Sequence, residues 1–171
     1  PFRTAILRGP PRSGTSLLGR WFEHAGLGET IDPADAIDET ALFHRWNRAQ
    51  EEGTALLLIT HDLGIVRRMA DRVNVMYAGK VIETGTAKDI YHNPRHPYTI
   101  ALLKSVPRLD RPRGAKLDPV QGQPPDLARL DDGCAFRPRC RYAVDKCAVA
   151  VPDLETIDGI HKSACFEKDE V

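Results

Sequence analysis

Four cysteines are clustered in the last third of the sequence. They are Cys134, Cys140, Cys147 and Cys165, separated by 5, 6 and 17 residues. Clustered thiols in a reducing compartment favour metal ligation over disulfides. The cluster contains no Cys-x-x-Cys pair, which counts against the common patterns of structural zinc. Zinc and unligated thiols stay open as alternatives to a larger metal centre.

Basic residues lie between these cysteines. We expect their charge to favour thiolates and to offset a negatively charged metal centre; they are Arg137, Arg139, Arg141 and Lys146. His161 is close enough in sequence to be a substitute ligand, but the preferred interpretation is a surface residue.

A histidine follows the longest apolar run of the chain. Residues Ala55 to Ile59 are apolar, and Thr60, His61 and Asp62 come directly after them. For an arbitrary Thr-His-Asp sequence, a histidine that only ends a strand is the better interpretation.

A glycine-rich segment near residue 10 has the spacing of a phosphate-binding loop. Four residues lie between Gly9 and Gly14, but Thr15 stands where a Walker loop carries lysine. Backbone N–H groups and a helix dipole can still hold one phosphate there. The alternative is an ordinary turn between a strand and a helix, with a capping serine.

Composition limits the classes of function. Hydrophobic residues are 42% and charged residues 28% of the 171 residues, which is typical of a globular protein. Lys plus Arg equals Asp plus Glu at 24 each, so nothing indicates a nucleic-acid partner. The apolar runs are too short for a transmembrane segment. Because the chain opens on Pro1 without a leader, we expect a cytosolic fragment.

The elements that must position these residues follow from local patterns. Apolar Ala5–Leu7, the glycine-rich loop and a helical apolar period predict strand, loop and helix, and a second helix is predicted over Glu39–Arg48. We next expect a strand over Ala55–Thr60, followed by a helix. After them we expect a hairpin that turns at Ala78–Gly79 and two short helices that begin at Thr86 and Pro97.

Three segments result: 1–50, 51–105 and 106–171. The last is rich in Pro, Gly and charge and contains every cysteine, so we expect an irregular extension. The predicted fold class is α/β, a partial P-loop NTPase-like core with a Cys-rich C-terminal extension.

The second and third segments resemble ABC-transporter ATPases that serve oligopeptide, dipeptide and nickel importers. The resemblance rests on residues 53–64 (GTALLLITHDLG), 70–85 (ADRVNVMYAGKVIETG), 93–103 (NPRHPYTIALL), 121–125 (QGQPP) and the cysteine cluster. Many positions agree in order and spacing over about 120 residues.

This resemblance implies a set of roles. His61 matches the switch histidine, which approaches the γ-phosphate and helps to orient the attacking water. ATP with Mg²⁺ is the implied cofactor, and the four cysteines match a cluster associated with a 4Fe-4S centre. The implied partners are membrane permease subunits and a second ATPase subunit, and the implied location is the inner face of the cell membrane.

The first segment resembles a different family. Residues 11–18 (PRSGTSLL) are similar to the loop with which sulfotransferases bind the 5′-phosphate of PAPS. The phosphate-binding residues would be Gly9, Arg12, Ser13, Gly14, Thr15 and Ser16. A fusion, an artefact or a designed chimera would each explain two resemblances in one chain.

The preferred function is therefore the C-terminal portion of a peptide- or nickel-importer ATPase. A Walker lysine, a Leu-Ser-Gly-Gly signature and an Asp-Glu pair for Mg²⁺ are not found in the sequence, so we expect the chain alone to be inactive. The alternatives are a sulfotransferase-like PAPS-binding protein and a non-catalytic iron–sulfur or zinc-binding module.

Overall fold

The computed structural model describes residues 3–8, 44, 47–48, 51–53, 56–105 and 120–171. The predicted phosphate-loop residues Gly9, Arg12, Ser13, Gly14, Thr15 and Ser16 lie outside them. The helix predicted over Glu39–Arg48 is described at His44, Asn47 and Arg48, all of which are helical.

The described strands form one six-stranded sheet in the order β2-β1-β3-β4-β6-β5. They are β1 (Arg3–Arg8), β2 (Leu56–Thr60), β3 (Arg72–Tyr77), β4 (Lys80–Thr86), β5 (Glu155–Asp158) and β6 (His161–Ser163). With the helices, the sheet confirms an α/β fold.

Strand β1 lies between β2 and β3 and is parallel to both. Leu58, Ile59 and Thr60 of β2 are consecutive and all buried. Because successive side chains of a strand point to opposite faces, both faces of β2 are covered at this end. The prediction of a strand buried on both faces is confirmed for these residues.

The hairpin β3–β4 is antiparallel and turns at Ala78–Gly79, as predicted. Both turn residues have positive φ, 48° at Ala78 and 78° at Gly79. Such a turn matches the right-handed twist of the two strands that it joins.

Four α-helices are described from residue 56 onward: α1 (Leu63–Met69), α2 (Ala87–His92), α3 (Pro97–Lys104) and α4 (Lys146–Val149). Local capping sets the start of α2, because the Thr86 hydroxyl accepts from the Asp89 N–H and the Asp89 carboxylate accepts from the Thr86 N–H. Pro97 is the first residue of α3, where its missing N–H carries no cost.

The C-terminal segment is irregular only in part. A 3₁₀ turn at Arg137–Arg139 and α4 are followed by the hairpin β5–β6. Strand β6 pairs with β4, with Glu83 opposite Ser163, so this segment extends the sheet. Phe136 also belongs to the buried core that contains Val66, Val75 and Ile90.

Among the helices of the described residues, none has the length and apolar character required to span a membrane.

Candidate functional site

All four cysteines line one small cavity. Cys134 precedes the 3₁₀ turn, Cys140 follows it, Cys147 lies in α4 and Cys165 follows β6. All four are free thiols, and Cys147 is the most buried, with 7% of its surface exposed. The structure therefore brings together the four residues that the sequence singled out.

Backbone hydrogen bonds fold the chain around this cavity. The Cys134 N–H donates to the Cys147 carbonyl at 2.9 Å, and the Cys140 N–H donates to the Arg137 carbonyl at 3.1 Å. Gly133 permits the first contact, because a Cβ there would lie 2.3 Å from the Cys147 oxygen. Backbone contacts thus hold these loop segments together.

Burial dominates the electrostatics of the thiols. It raises the pKa of Cys134 and Cys140, and it raises the pKa of Cys165 to about 11, with the other thiols adding to the shift. Backbone N–H groups at Phe136, Tyr142 and Glu167 act in the opposite direction, each two residues after its cysteine. Burial therefore favours the protonated form of these three thiols, and a bound cation would favour their thiolates.

Two of the four basic residues act on the thiols in the predicted direction. Arg137 and Arg141 do lower the pKa of a nearby thiol, but burial outweighs them. Arg139 instead donates to the backbone oxygens of Gln121 and Val120, and Lys146 lies over the Phe166 ring at 4.2 Å. These two cations have structural contacts.

His96 also borders the cavity. It is the N-cap of α3, and its Nδ1 accepts the Tyr98 N–H at 3.0 Å. Burial lowers the pKa of His96 to about 3, so its ring is neutral. Sequence analysis missed this residue, although its position directly before Pro97 marks it as a candidate cap.

His161 is not the surface residue that the sequence suggested. It is 2% exposed, and its Nε2 lies 2.9 Å from Glu83 Oε1. It is also not among the residues that line the cysteine cavity. His161 is buried because β6 pairs with β4, which places the side chains of His161 and Glu83 on the same face of the sheet.

Glu83 is fully buried on β4. Burial raises its pKa, whereas the Thr99 hydroxyl, the His161 ring and the Arg95 N–H lower it. The Arg95 N–H donates to Glu83 Oε1 at 2.6 Å. Thr99 faces the carboxyl group without hydrogen-bonding geometry, since Glu83 Oε2 and Thr99 Oγ1 both lack a partner among the described residues.

His61 lies in the tight turn between β2 and α1, and its side chain is exposed. The Asp62 N–H donates to Thr60 Oγ1 at 3.0 Å, and Asp62 Oδ1 caps α1 by accepting from Gly64 and Ile65. The turn therefore fixes the backbone of His61.

The end of β2 lies beside the end of β1. Leu7 is in register with Thr60, so Arg8 and His61 are at the same edge of the sheet. Loops that leave the carboxyl ends of neighbouring parallel strands form the usual ligand site of open α/β sheets.

Among the described residues, no group of three or more His, Cys, Asp or Glu side chains is arranged to hold a metal ion.

Comparison with known proteins shows which family and which proteins this chain is similar to. Residues 82–147 match the family described as "Oligopeptide/dipeptide transporter, C-terminal region". The matched range runs from β4 to Cys147 and contains His96 and three of the four cysteines.

Individual relatives agree with this match. A Brucella ovis protein named as a peptide import ATP-binding protein is 43% identical over 82% of this chain and 44% of its own length. Oligopeptide transport ATP-binding protein OppD of Salmonella typhimurium is 44% identical over 80% of this chain and 41% of its own. Dipeptide transport ATP-binding protein DppD of Bacillus subtilis is 43% identical over 81% and 42%.

The chain thus spans less than half the length of these relatives. The Brucella alignment exceeds the length of residues 51–171, so it reaches into the first 50 residues. These matches do not support a sulfotransferase or PAPS. The resemblance of this chain to the C-terminal part of peptide-import ATP-binding proteins is confirmed.

Proposed function

We propose that this chain works as the C-terminal part of an ATP-binding subunit that drives peptide import. The observation that supports this most strongly is the family match over residues 82–147, continued by relatives that cover about four fifths of the chain. Each of the three relatives is named as an ATP-binding protein of peptide import or transport. ATP with Mg²⁺ is therefore the proposed cofactor of the complete subunit.

The proposed partners are membrane permease components and a second ATPase subunit. The proposed location is the cytoplasmic face of the membrane, where the subunit would bind peripherally. Selection of the peptide would depend on those partners.

Within that function we assign His61 to the γ-phosphate. Its exposed side chain and fixed backbone suit a donor that is positioned before the nucleotide binds. Its place beside the end of β1 puts it at the edge of the sheet where the strand that precedes Gly9 in the sequence ends.

A segment exchange tests this function. Residues 56–171 replace the corresponding part of Bacillus subtilis DppD, and dipeptide uptake is measured in cells that lack DppD. We expect uptake to be restored and to be nearly lost when His61→Ala is added. Uptake at the level of empty cells, with the exchanged subunit present at normal amounts in the membrane fraction, would contradict the proposal.

We also propose that the four cysteines hold a 4Fe-4S cluster in preference to zinc. Four free thiols line one cavity, three of them face a backbone N–H group, and the donor set matches the cluster. When bound, the cluster would supply one-electron chemistry or a structural brace.

Anaerobic reconstitution with iron and sulfide tests the metal assignment. We expect a brown protein with broad absorption near ~400 nm, which zinc does not give. Cys140→Ser should lose the absorption, whereas Val149→Ala, an exposed change in the same segment, should keep it. Stoichiometric zinc without iron in anaerobically purified protein would contradict this assignment.

A further inference from the structure

An open cleft of about 190 Å³ lies where α3 meets the C-terminal segment. Pro97, Ala101 and Lys104 line it from one face of α3, because residues three and four apart on a helix are neighbours. The other walls are formed by residues 120–121 and by residues of the stretch 136–141. None of the four cysteines lines this cleft.

Three cations surround the space, which we call the basic cleft: Lys104, Arg139 and Arg141. Among the described residues of its walls there is no Asp or Glu, and the ion pairs between described residues include none of the three cations. Like charges around one small space repel one another, and an anion between them relieves that repulsion. The basic cleft therefore favours a negatively charged ligand.

The Arg139 guanidinium is held in place on the wall of the basic cleft. Its Nε–H donates to the Gln121 carbonyl at 2.7 Å, and its two terminal nitrogens donate to the Val120 carbonyl at 3.0 Å and to the Tyr77 hydroxyl at 3.3 Å. These bonds use three of its five N–H groups. A planar guanidinium that is positioned in advance matches the planar oxygens of a carboxylate.

The remaining walls and the volume narrow the class of ligand. Pro97, Ala101, Val120 and Phe136 give the basic cleft an apolar side, against which a phosphate ion has nothing to bury. Sites for drug-sized ligands have about 300–1,000 Å³, so this one suits a smaller molecule. We propose that the basic cleft binds a small organic carboxylate with an apolar side chain, of about the size of one amino-acid residue. This inference depends on neither the nucleotide nor a metal at the cysteines.

Titration of the 171-residue chain with N-acetyl-leucine, followed by NMR of the backbone amides, tests the proposal. We expect saturable shifts at residues 97–104, 120–121 and 136–141, and binding that weakens as salt is added. N-acetyl-leucine amide has the same apolar group without the carboxylate and should not bind. Equal binding of the acid and the amide, or binding of neither, would overturn the inference.

Two kinds of variant separate a built site from general attraction to surface charge. Lys104→Gln and Arg141→Gln together should weaken binding of N-acetyl-leucine by about tenfold, whereas Lys80→Gln, an exposed change in the β3–β4 hairpin, should not alter it. Ala101→Leu fills the basic cleft without changing any charge and should abolish binding at an unchanged melting temperature.

Inorganic phosphate is the last probe. If phosphate binds as tightly as N-acetyl-leucine and Ala101→Leu weakens neither, the three cations are only a surface that attracts anions, and the inference is wrong. An equal loss of binding with Lys80→Gln would have the same meaning.

Discussion

Glu83 and His161 form a buried contact between residues 78 positions apart in the sequence. Glu83 is completely buried and His161 almost so. The carboxylate accepts hydrogen bonds from the Arg95 backbone as well as from the imidazole, so it joins β4, β6 and the residue before the α3 cap. A buried carboxyl group with these partners is expected to make stability depend on pH.

We expect Glu83→Gln to remove part of the pH dependence of unfolding. Burial raises the pKa of Glu83 above 4.5, so the folded protein holds this proton more tightly than the unfolded chain. Glu83 therefore contributes stability that is complete below about pH 4.5 and is lost as pH rises through the raised pKa. Glutamine cannot ionise, and the decline should disappear.

Melting temperatures of the wild type and Glu83→Gln between about pH 4 and 7 check this expectation. Glu170→Gln, a change at an exposed carboxyl group, is the matched control. An equal decline in all three proteins would show that Glu83 is not responsible.

The sequence identified the residues with conspicuous chemistry better than those whose role depends on tertiary contacts. The four cysteines and the histidine after β2 are recognisable from type and spacing. By contrast, Glu83 and His161 reveal nothing until β6 pairs with β4, because a polar residue on a short strand is usually exposed. His96 was missed because its cavity is built from distant segments.

At the scale of elements, the loop before the 3₁₀ turn packs directly on α4. A Cβ at Gly133 would lie 2.3 Å from the Cys147 oxygen and 2.7 Å from the Ala148 oxygen, both of which are backbone atoms. Backbone atoms cannot move aside as a side chain can. This contact determines how closely the backbone at Cys134 approaches the backbone at Cys147.

We therefore expect Gly133→Ala to destabilise the protein by about 1–3 kcal/mol, as overpacking does, and to reduce iron uptake. Denaturant unfolding and iron content are the measurements. Gly64→Ala is the control, because its Cβ would approach only the end of the Asp62 side chain, at 3.1 Å. If the two variants lose the same amount of stability, the close packing at Gly133 does not limit the stability of the protein.

The β3–β4 turn offers a stabilising change. Ala78 has φ of 48°, a left-handed conformation that costs a non-glycine residue about 1–2 kcal/mol. Asparagine tolerates this conformation and is preferred in such turns, so Ala78→Asn should raise stability by about 0.5–1 kcal/mol. Ala150→Asn, a change outside the turn, should not raise the stability that thermal unfolding measures. An equal increase in stability with Ala150→Asn would show that the turn is not the cause.

Elements were predictable where local chemistry defines them. The capping pair Thr86 and Asp89, the proline at the start of α3 and the Ala-Gly turn each carry their signal within a few residues. The structure of the C-terminal segment could not be predicted in this way, because it depends on pairing with β4 and on packing of Phe136 into the core.

At the scale of the whole molecule, aromatic contacts join the cysteine segment to the sheet. Tyr77 of β3 contacts Tyr98 of α3 at 4.6 Å and Phe136 at 5.3 Å between ring centroids. The Arg139 guanidinium also donates to the Tyr77 hydroxyl at 3.3 Å. The segment and the sheet therefore share one core.

A shared core does not make the 171-residue chain a complete ATPase. Phosphoryl transfer requires a lysine and backbone cradle for the phosphates, a bound Mg²⁺ and a residue that polarises water, and these groups act together. The sequence supplies His61 for such a set, but it has Thr15 in place of the lysine and no identifiable Asp-Glu pair.

We expect this chain alone to show no Mg²⁺-dependent ATP hydrolysis above background, and His61→Ala to change nothing measurable in it. The same substitution in the subunit made by exchange into Bacillus subtilis DppD should nearly abolish hydrolysis, because the missing groups are then present and the histidine acts with them. Phosphate release from both proteins, with and without His61→Ala, is the measurement. Steady turnover by the isolated chain that disappears with His61→Ala would show that the Gly9–Ser16 segment binds the nucleotide productively without a lysine.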